Sequence, residues 1–255
     1  MIDKRGRKLA RYYRGFSMSR FLLPLSISLV MLINPQISQA AGFGINSTRL
    51  IYPEGANSIT ATLRNRGDAN VYLVQSSVSR LSASTQAAPF DVTPPLFRME
   101  AESKHQVRIR FRGAELPTDR ESVFYFRTTA IPASLSKEDD ESQRLIKGDT
   151  RFGVGKSIKL FYRPKNLADD ALSAQRNLKI EANGSGLIIS NPSPYHVSFL
   201  DIRVAGKRLS LDDAEEKMLP PFGSHTWPVR NAKGKVEWVS IDDHGGYHAF
   251  SQTLP

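Results

Sequence analysis

The sequence predicts an all-β protein: two β-sandwich domains behind a short N-terminal leader. Three observations carry this. Apolar residues recur at every second position, turn-forming residues interrupt them at short intervals, and the first forty residues have a different composition from the rest.

The alternation runs through Ile59, Ala61 and Leu63, then Val107, Ile109 and Phe111, then Val123 and Tyr125. It returns at Leu178 and Ile180, Leu187 and Ile189, Val197 and Phe199, and Ile202 and Val204. A period of two marks strands with one buried face. Between them stand Asn65-Arg66-Gly67-Asp68, Thr93-Pro94-Pro95, Asn183-Gly184-Ser185-Gly186, Asn191-Pro192-Ser193-Pro194, Lys233-Gly234 and Gly245-Gly246. Such dipeptides punctuate strands, and many short strands with regular turns favour sandwiches. Only 167–176 has room for a short helical turn.

The leader comes from the head of the chain. Residues 1–20 carry seven Lys/Arg and one Asp, 21–33 are apolar apart from two serines and Pro24, and Ser38-Gln39-Ala40 supplies small residues. A basic head, a short apolar run and a small-residue exit describe a cleaved secretory signal, here 1–40. The run is shorter than the roughly 20 residues a membrane-spanning helix needs. Met18 offers an alternative start.

Without residues 1–40 the formal net charge falls from +10 to +4, because seven of the basic residues leave with them. Nucleic-acid binding rests on clustered basic charge, so no nucleic-acid partner is expected. There is no cysteine. Cysteine nucleophiles and thiolate metal sites are excluded, and an exported chain of this kind must rely on its apolar cores. The histidines at 105, 196, 225, 244 and 248 are scattered. His244 and His248 have helical metal spacing, but Gly245-Gly246 breaks a helix there. No nucleophile elbow or phosphate loop appears, so neither an enzyme nor a cofactor is expected. Asn46-Ser47-Thr48 and Asn183-Gly184-Ser185 fit glycosylation sequons.

A domain boundary is expected near 165, where Ile158-Lys159-Leu160-Phe161-Tyr162 ends in Arg163-Pro164. Proline cannot donate to a sheet ladder and commonly closes a strand. The domains are therefore 41–165 and 166–255. The most polar loop, 134–148, contains Lys137-Glu138-Asp139-Asp140-Glu141 and reads as solvated.

Four segments carry a family resemblance. They are Ser47-Thr48-Arg49-Leu50-Ile51-Tyr52-Pro53-Glu54-Gly55; Thr93-Pro94-Pro95 with Arg98-Met99-Glu100; Leu116-Pro117-Thr118-Asp119-Arg120-Glu121-Ser122-Val123-Phe124-Tyr125-Phe126 with Ile131-Pro132; and Ile158-Lys159-Leu160-Phe161-Tyr162-Arg163-Pro164. Weaker echoes follow at Asn191-Pro192-Ser193-Pro194-Tyr195 and Asp242-Asp243-His244-Gly245-Gly246. In this order they resemble the periplasmic pilus chaperones of the chaperone–usher pathway. The resemblance implies two immunoglobulin-like domains set at an angle, a periplasmic location, and two partners: pilus subunits and an outer-membrane usher. It implies that the chaperone caps an incomplete subunit by lending it a strand, and that the free chaperone can pair with itself through the same strand.

The lent strand should alternate apolar residues just ahead of the fourth segment. Phe152, Val154 and Ile158 share one face there, with Thr150 extending it, while Gly153 and Gly155 weaken it. The same pattern suits any half-buried edge strand; the motif that follows favours the donor reading. The resemblance places Arg49 and Lys159 in the cleft as the anchor for the subunit's terminal carboxylate. It makes Glu121, Arg163 and Asp243 an interdomain salt bridge, with Asp242 as the alternative acid. The long 133–157 connection without a cysteine pair points to the short-loop branch rather than the long-loop one. A structural or adhesive immunoglobulin-like surface protein is the rival reading.

Overall fold

The computed structural model describes residues 42–67, 70–81, 86–133, 153–184 and 186–255. The leader, the polar loop 134–148, Thr150 and Phe152 lie outside the described residues.

The first sandwich contains β1 (Phe43–Ile45), β2 (Arg49–Pro53), β3 (Ile59–Asn65), β4 (Tyr72–Ser79), β5 (Phe90–Thr93), β6 (Leu96–Met99), β7 (Lys104–Phe111), β8 (Ser122–Pro132) and β9 (Val154–Arg163). The second begins with α1 (Ala171–Arg176), followed by β10 (Lys179–Asn183), β11 (Gly186–Ser190), β12 (Val197–Val204) and β13 (Lys207–Arg208). It ends with α2 (Ala214–Lys217), β14 (Met218–Leu219), β15 (Ser224–Trp227), β16 (Gly234–Ile241) and β17 (Tyr247–Leu254). In the first sandwich the sheets run β1-β3-β7-β5 and β2-β9-β8-β4-β6; in the second they run β10-β11-β15 and β13-β12-β16-β17, with β14 also on β12. The β2–β9 pair is parallel.

Each sandwich closes on its own core. Tyr52, Leu63, Val74, Ile109, Phe126 and Leu160 lead the first; Leu187, Ile189, Ile202, Leu219, Trp227 and Trp238 lead the second. Burying side chains of this size contributes about 1.5–3 kcal/mol each, which stands in for the missing disulfides. Several polar groups inside are paired, though the buried Trp227 Nε1 has no hydrogen-bond partner among the described residues. Tyr52 Oη donates to the Ala56 carbonyl at 2.7 Å and accepts the Phe111 N–H at 3.1 Å. Trp238 Nε1 donates to the Gln175 carbonyl at 2.9 Å. Asp170 caps α1, taking the Leu172 and Ser173 N–H groups at 2.8 Å each, and so falls within the stretch predicted to hold a helical turn.

One strand departs from the alternation read off the sequence, and another changes phase where two separate pairs were read. On β8 the core face is Phe124, Phe126, Thr128 and Ala130, not Val123 and Tyr125. Val123-Phe124-Tyr125-Phe126 is apolar at every position, so periodicity cannot choose a face; pairing of Phe124 with Leu160 does. On β12 the buried set shifts from Val197 and Phe199 to Ile202 and Val204. A bulge between Phe199 and Asp201 inserts the extra residue.

Candidate functional site

β9 is unequally covered by its neighbours. β8 pairs with it from Val154 to Tyr162. β2 pairs with it only from Lys159 to Arg163. Among the described residues no strand pairs with the other edge of 154–158, so a lane in line with β2 stands open there. Val154 is 37% exposed. Ile158, on the same face, is partly buried against the first core, and Leu160 and Tyr162 continue that face inward. Gly153 and Gly155 are on the opposite face.

At the closed end of the lane Arg49 and Lys159 are register partners. Arg49 is only 9% exposed. Its Nη1 donates to the Ile241 carbonyl at 2.7 Å, its guanidinium lies 6.0 Å from the Phe161 ring centroid, and its buried Nε has no hydrogen-bond partner. Burial holds its pKa below the ordinary value, against the pull of Asp243, Asp242 and Glu121. Lys159 Nζ donates to Ser198 Oγ at 3.2 Å. Burial, reinforced by repulsion from Arg49 and Lys217, brings Lys159 down to about 8. Two desolvated cations side by side, one with an unused donor, are chemically suited to receive an anion.

This geometry fixes a pH signature. Above about pH 8 Lys159 loses its charge, so affinity for a carboxylate should fall. Stability of the free protein should move the other way. Between about pH 8 and 10.5 the unfolded chain holds a proton that the folded chain has released. Stability therefore rises with pH there, by roughly 2–3 kcal/mol. Thermal melting across this window should show the rise in the wild type and not in Lys159→Met.

The sandwiches are tied beside the lane. Arg163, at the end of β9, donates from Nε to Glu121 Oε1 at 2.7 Å, and from Nη1 and Nη2 to Asp243 at 2.7 and 2.9 Å. Burial disfavours its charge, but the hydrogen bonds and attraction from Asp243 and Glu121 outweigh this and raise its pKa. The Glu121 side chain is 2% exposed. Its Oε2 also accepts the His196 N–H at 2.8 Å, with His196 Nδ1 at 3.2 Å. Arg163 further lies 5.1 Å from the Tyr195 ring centroid.

Asp243, not Asp242, faces Arg163, and the local turn explains the choice. Asp242 Oδ1 takes the His244 and Gly246 N–H groups at 2.9 and 2.7 Å, and its Oδ2 lies 2.8 Å from His248 Nε2. Gly245 sits at φ 87°, and a Cβ there would meet Thr48 Oγ1 at 2.6 Å. Glycine thus serves both the left-handed turn and the close approach of the first sandwich.

Several participants were not singled out from the sequence. His196, Ser198, Lys217 and the Ile241 carbonyl all come from the second sandwich. The Asn191-Pro192-Ser193-Pro194-Tyr195 echo was the available signal for His196. Asn191 Nδ2 donates to the Tyr195 carbonyl at 2.7 Å, and the Pro194 carbonyl accepts the Glu121 N–H at 3.0 Å. That motif therefore shapes a loop that delivers His196 to Glu121.

Two family models match the chain, one over each sandwich. Residues 42–168 match the model described as pili and flagellar-assembly chaperone, PapD N-terminal domain; 173–252 match pili assembly chaperone PapD, C-terminal domain. The chain is 32% identical over 224 residues to the chaperone protein FocC of Escherichia coli, covering 87% of this chain and 92% of that protein. It is 31% identical over 208 residues to the chaperone protein HifB of Haemophilus influenzae, covering 79% and 83%. Among solved structures it is similar to a chain of the Salmonella enterica complex between the SafA pilin and the SafB chaperone, with TM-score 0.70, 30% identity, and 85% and 98% coverage. It is also similar to the periplasmic chaperone SfaE, with TM-score 0.69, 29% identity, and 84% and 100% coverage. With both domain models matched in order and relatives of this identity spanning most of its length, the chain belongs to the pili and flagellar-assembly chaperone family.

Proposed function

We propose that this protein is exported by residues 1–40 to the periplasm, where 41–165 and 166–255 act together to cap pilus subunits and deliver them to an outer-membrane usher. The open lane beside 154–158 carries the reading. An unpaired strand edge is a template for strand addition, and here it has a defined end. β2 runs parallel to β9 and begins at Arg49. A strand laid parallel to β9 in that lane must stop at Arg49, so its terminal carboxylate arrives between Arg49 and Lys159. The register of the added strand then follows from the anchor.

Thr150, Phe152, Val154 and Ile158 supply the lent face in this reading, with Ile158 already half committed to the chaperone's own core. Glu121, Arg163 and Asp243 hold the two sandwiches so that Ser198 and Ile241 of the second stay beside the anchor. The free protein pairs with itself through the same edge, and the long 133–157 connection without a cysteine pair makes it a short-loop type with an extended connection. Family membership sets aside the rival reading as a structural or adhesive surface protein.

The test is Val154→Asp. Val154 is exposed in the free protein, so folding should change by no more than about 0.5 kcal/mol. Co-expressed subunit should nevertheless no longer co-elute with the variant on gel filtration. An intact complex would place the donor elsewhere.

A further inference from the structure

The outer face of the β1-β3-β7-β5 sheet takes no part in the lane, the anchor or the interdomain salt bridge. Its chemistry is one-sided. Lys104, Gln106, Arg108 and Arg110 are the exposed alternate positions of β7, and exposed Arg112 continues the row. Arg64 stands opposite Lys104 on β3. Thr60 and Thr93 flank Arg108, and Thr62 flanks Gln106. Asp91 is the one acid on these strands, 3.3 Å from Arg110 and 3.5 Å from Arg112. Lys104 and Arg108 have no ion-pair partner among the described residues. Glu100, in the turn ahead of β7, is taken up by Arg98 at 2.6 Å. The surplus of four positive charges on this face equals the whole formal net charge of 41–255. These strands thus carry a local excess of positive charge.

We infer that this sheet face is a docking surface for an anionic phospholipid bilayer. A stable protein interface needs buried aromatic or aliphatic anchors. Among the described residues, none of the large exposed apolar side chains lies on β1, β3, β5 or β7. A bilayer surface asks for less. Anionic headgroups attract a cationic face that lacks apolar anchors, and each basic residue at the surface strengthens binding about fivefold. Alternate residues of a strand lie roughly 7 Å apart, so the row on β7 spreads its charges along one line, as a headgroup layer can meet them. Binding of this kind is weak, reversible and salt-sensitive, and it leaves the open lane, which belongs to the other sheet, free for its own partner.

The test uses protein made from the full chain and purified from cell extract. It is co-sedimented with vesicles of mixed phosphatidylglycerol and phosphatidylethanolamine, and separately with vesicles of phosphatidylcholine alone. The protein should sediment with the anionic vesicles only, and release at about 1 M salt. The triple change Lys104→Glu, Arg108→Glu and Arg110→Glu should weaken vesicle binding more than a hundredfold while subunit recovery stays intact. If that variant fails to fold, Arg108→Gln should still weaken binding about fivefold, and Arg108→Lys should retain it. Equal sedimentation with phosphatidylcholine, no sedimentation at all, or sedimentation unchanged in the triple variant would overturn the inference. Loss of subunit recovery in the triple variant without any vesicle binding would also overturn it, and would assign the face to an acidic protein partner instead.

Discussion

Lys159→Ala and Arg49→Ala should each give a folded, soluble protein that binds its subunit at least tenfold more weakly. In the proposed anchor each cation contributes charge-assisted hydrogen bonds to a carboxylate, about 1.5–3 kcal/mol apiece, which corresponds to roughly 10- to 150-fold in affinity. Folding should survive because neither side chain is needed by either core. Arg49 braces the Ile241 carbonyl and Lys159 reaches Ser198, so modest losses from those bonds are expected. Lys159→Ala also removes a cation that burial disfavours, which offsets part of its loss. Arg49→Lys should restore only part of the affinity, since an ammonium keeps the charge but not the planar fork. Subunit recovery from the periplasm on co-expression is the readout. Unchanged recovery in both alanine variants would mean that the carboxylate goes elsewhere.

The second large effect is expected at Arg163. Arg163→Ala leaves the Glu121 carboxylate buried with only His196 beside it. Breaking a buried pair from one side typically costs about 3–5 kcal/mol. Melting temperature should fall. X-ray scattering should also show the two sandwiches losing their fixed relation, because Arg163 is held from both of them. Replacing both partners, as Glu121→Gln with Arg163→Met, should recover much of the melting temperature without restoring that relation. A lowered melting temperature with unchanged scattering would reduce the salt bridge to a local stabiliser.

Sequence reasoning reached these residues unevenly, and the reasons are physical. Strands with clean alternation, such as Ala61 and Leu63 or Leu187 and Ile189, were legible because one face is buried and the other wet. β8 was misread in parity because its apolar run offers both faces: one serves the core, while Tyr125 pairs with Lys159 on the other. Arg49, Lys159, Glu121 and Arg163 sit inside distinctive segments, and so stood out. Asp243 was separable from Asp242 only through the turn, where the hydrogen bonds of Asp242 consume it. The Ile241 carbonyl, 192 positions from Arg49, has no letter of its own, since any residue type supplies a backbone oxygen. Ser198 and His196 are ordinary residues made relevant by the docking of one sandwich on the other. The cationic face was hidden differently: four of its five cations alternate along β7 and just past its end, but only the fold sets Arg64 of β3 beside them.

The place where β2 begins bears on selectivity. In the proposed function the lane is a ruler with its zero mark at Arg49 and Lys159. A guest strand slipped by one residue turns its side chains to the wrong face, and a slip of two keeps the face but pulls the carboxylate off the mark. Charge at one end therefore sets the reading along the whole length. The apolar marks beyond it are then free to be sparse, as Gly153, Gly155 and the exposed Val154 make them here. A ruler with a firm zero and coarse divisions accepts many guests in a single alignment, so one chaperone can serve subunits that differ in sequence but share a chain end.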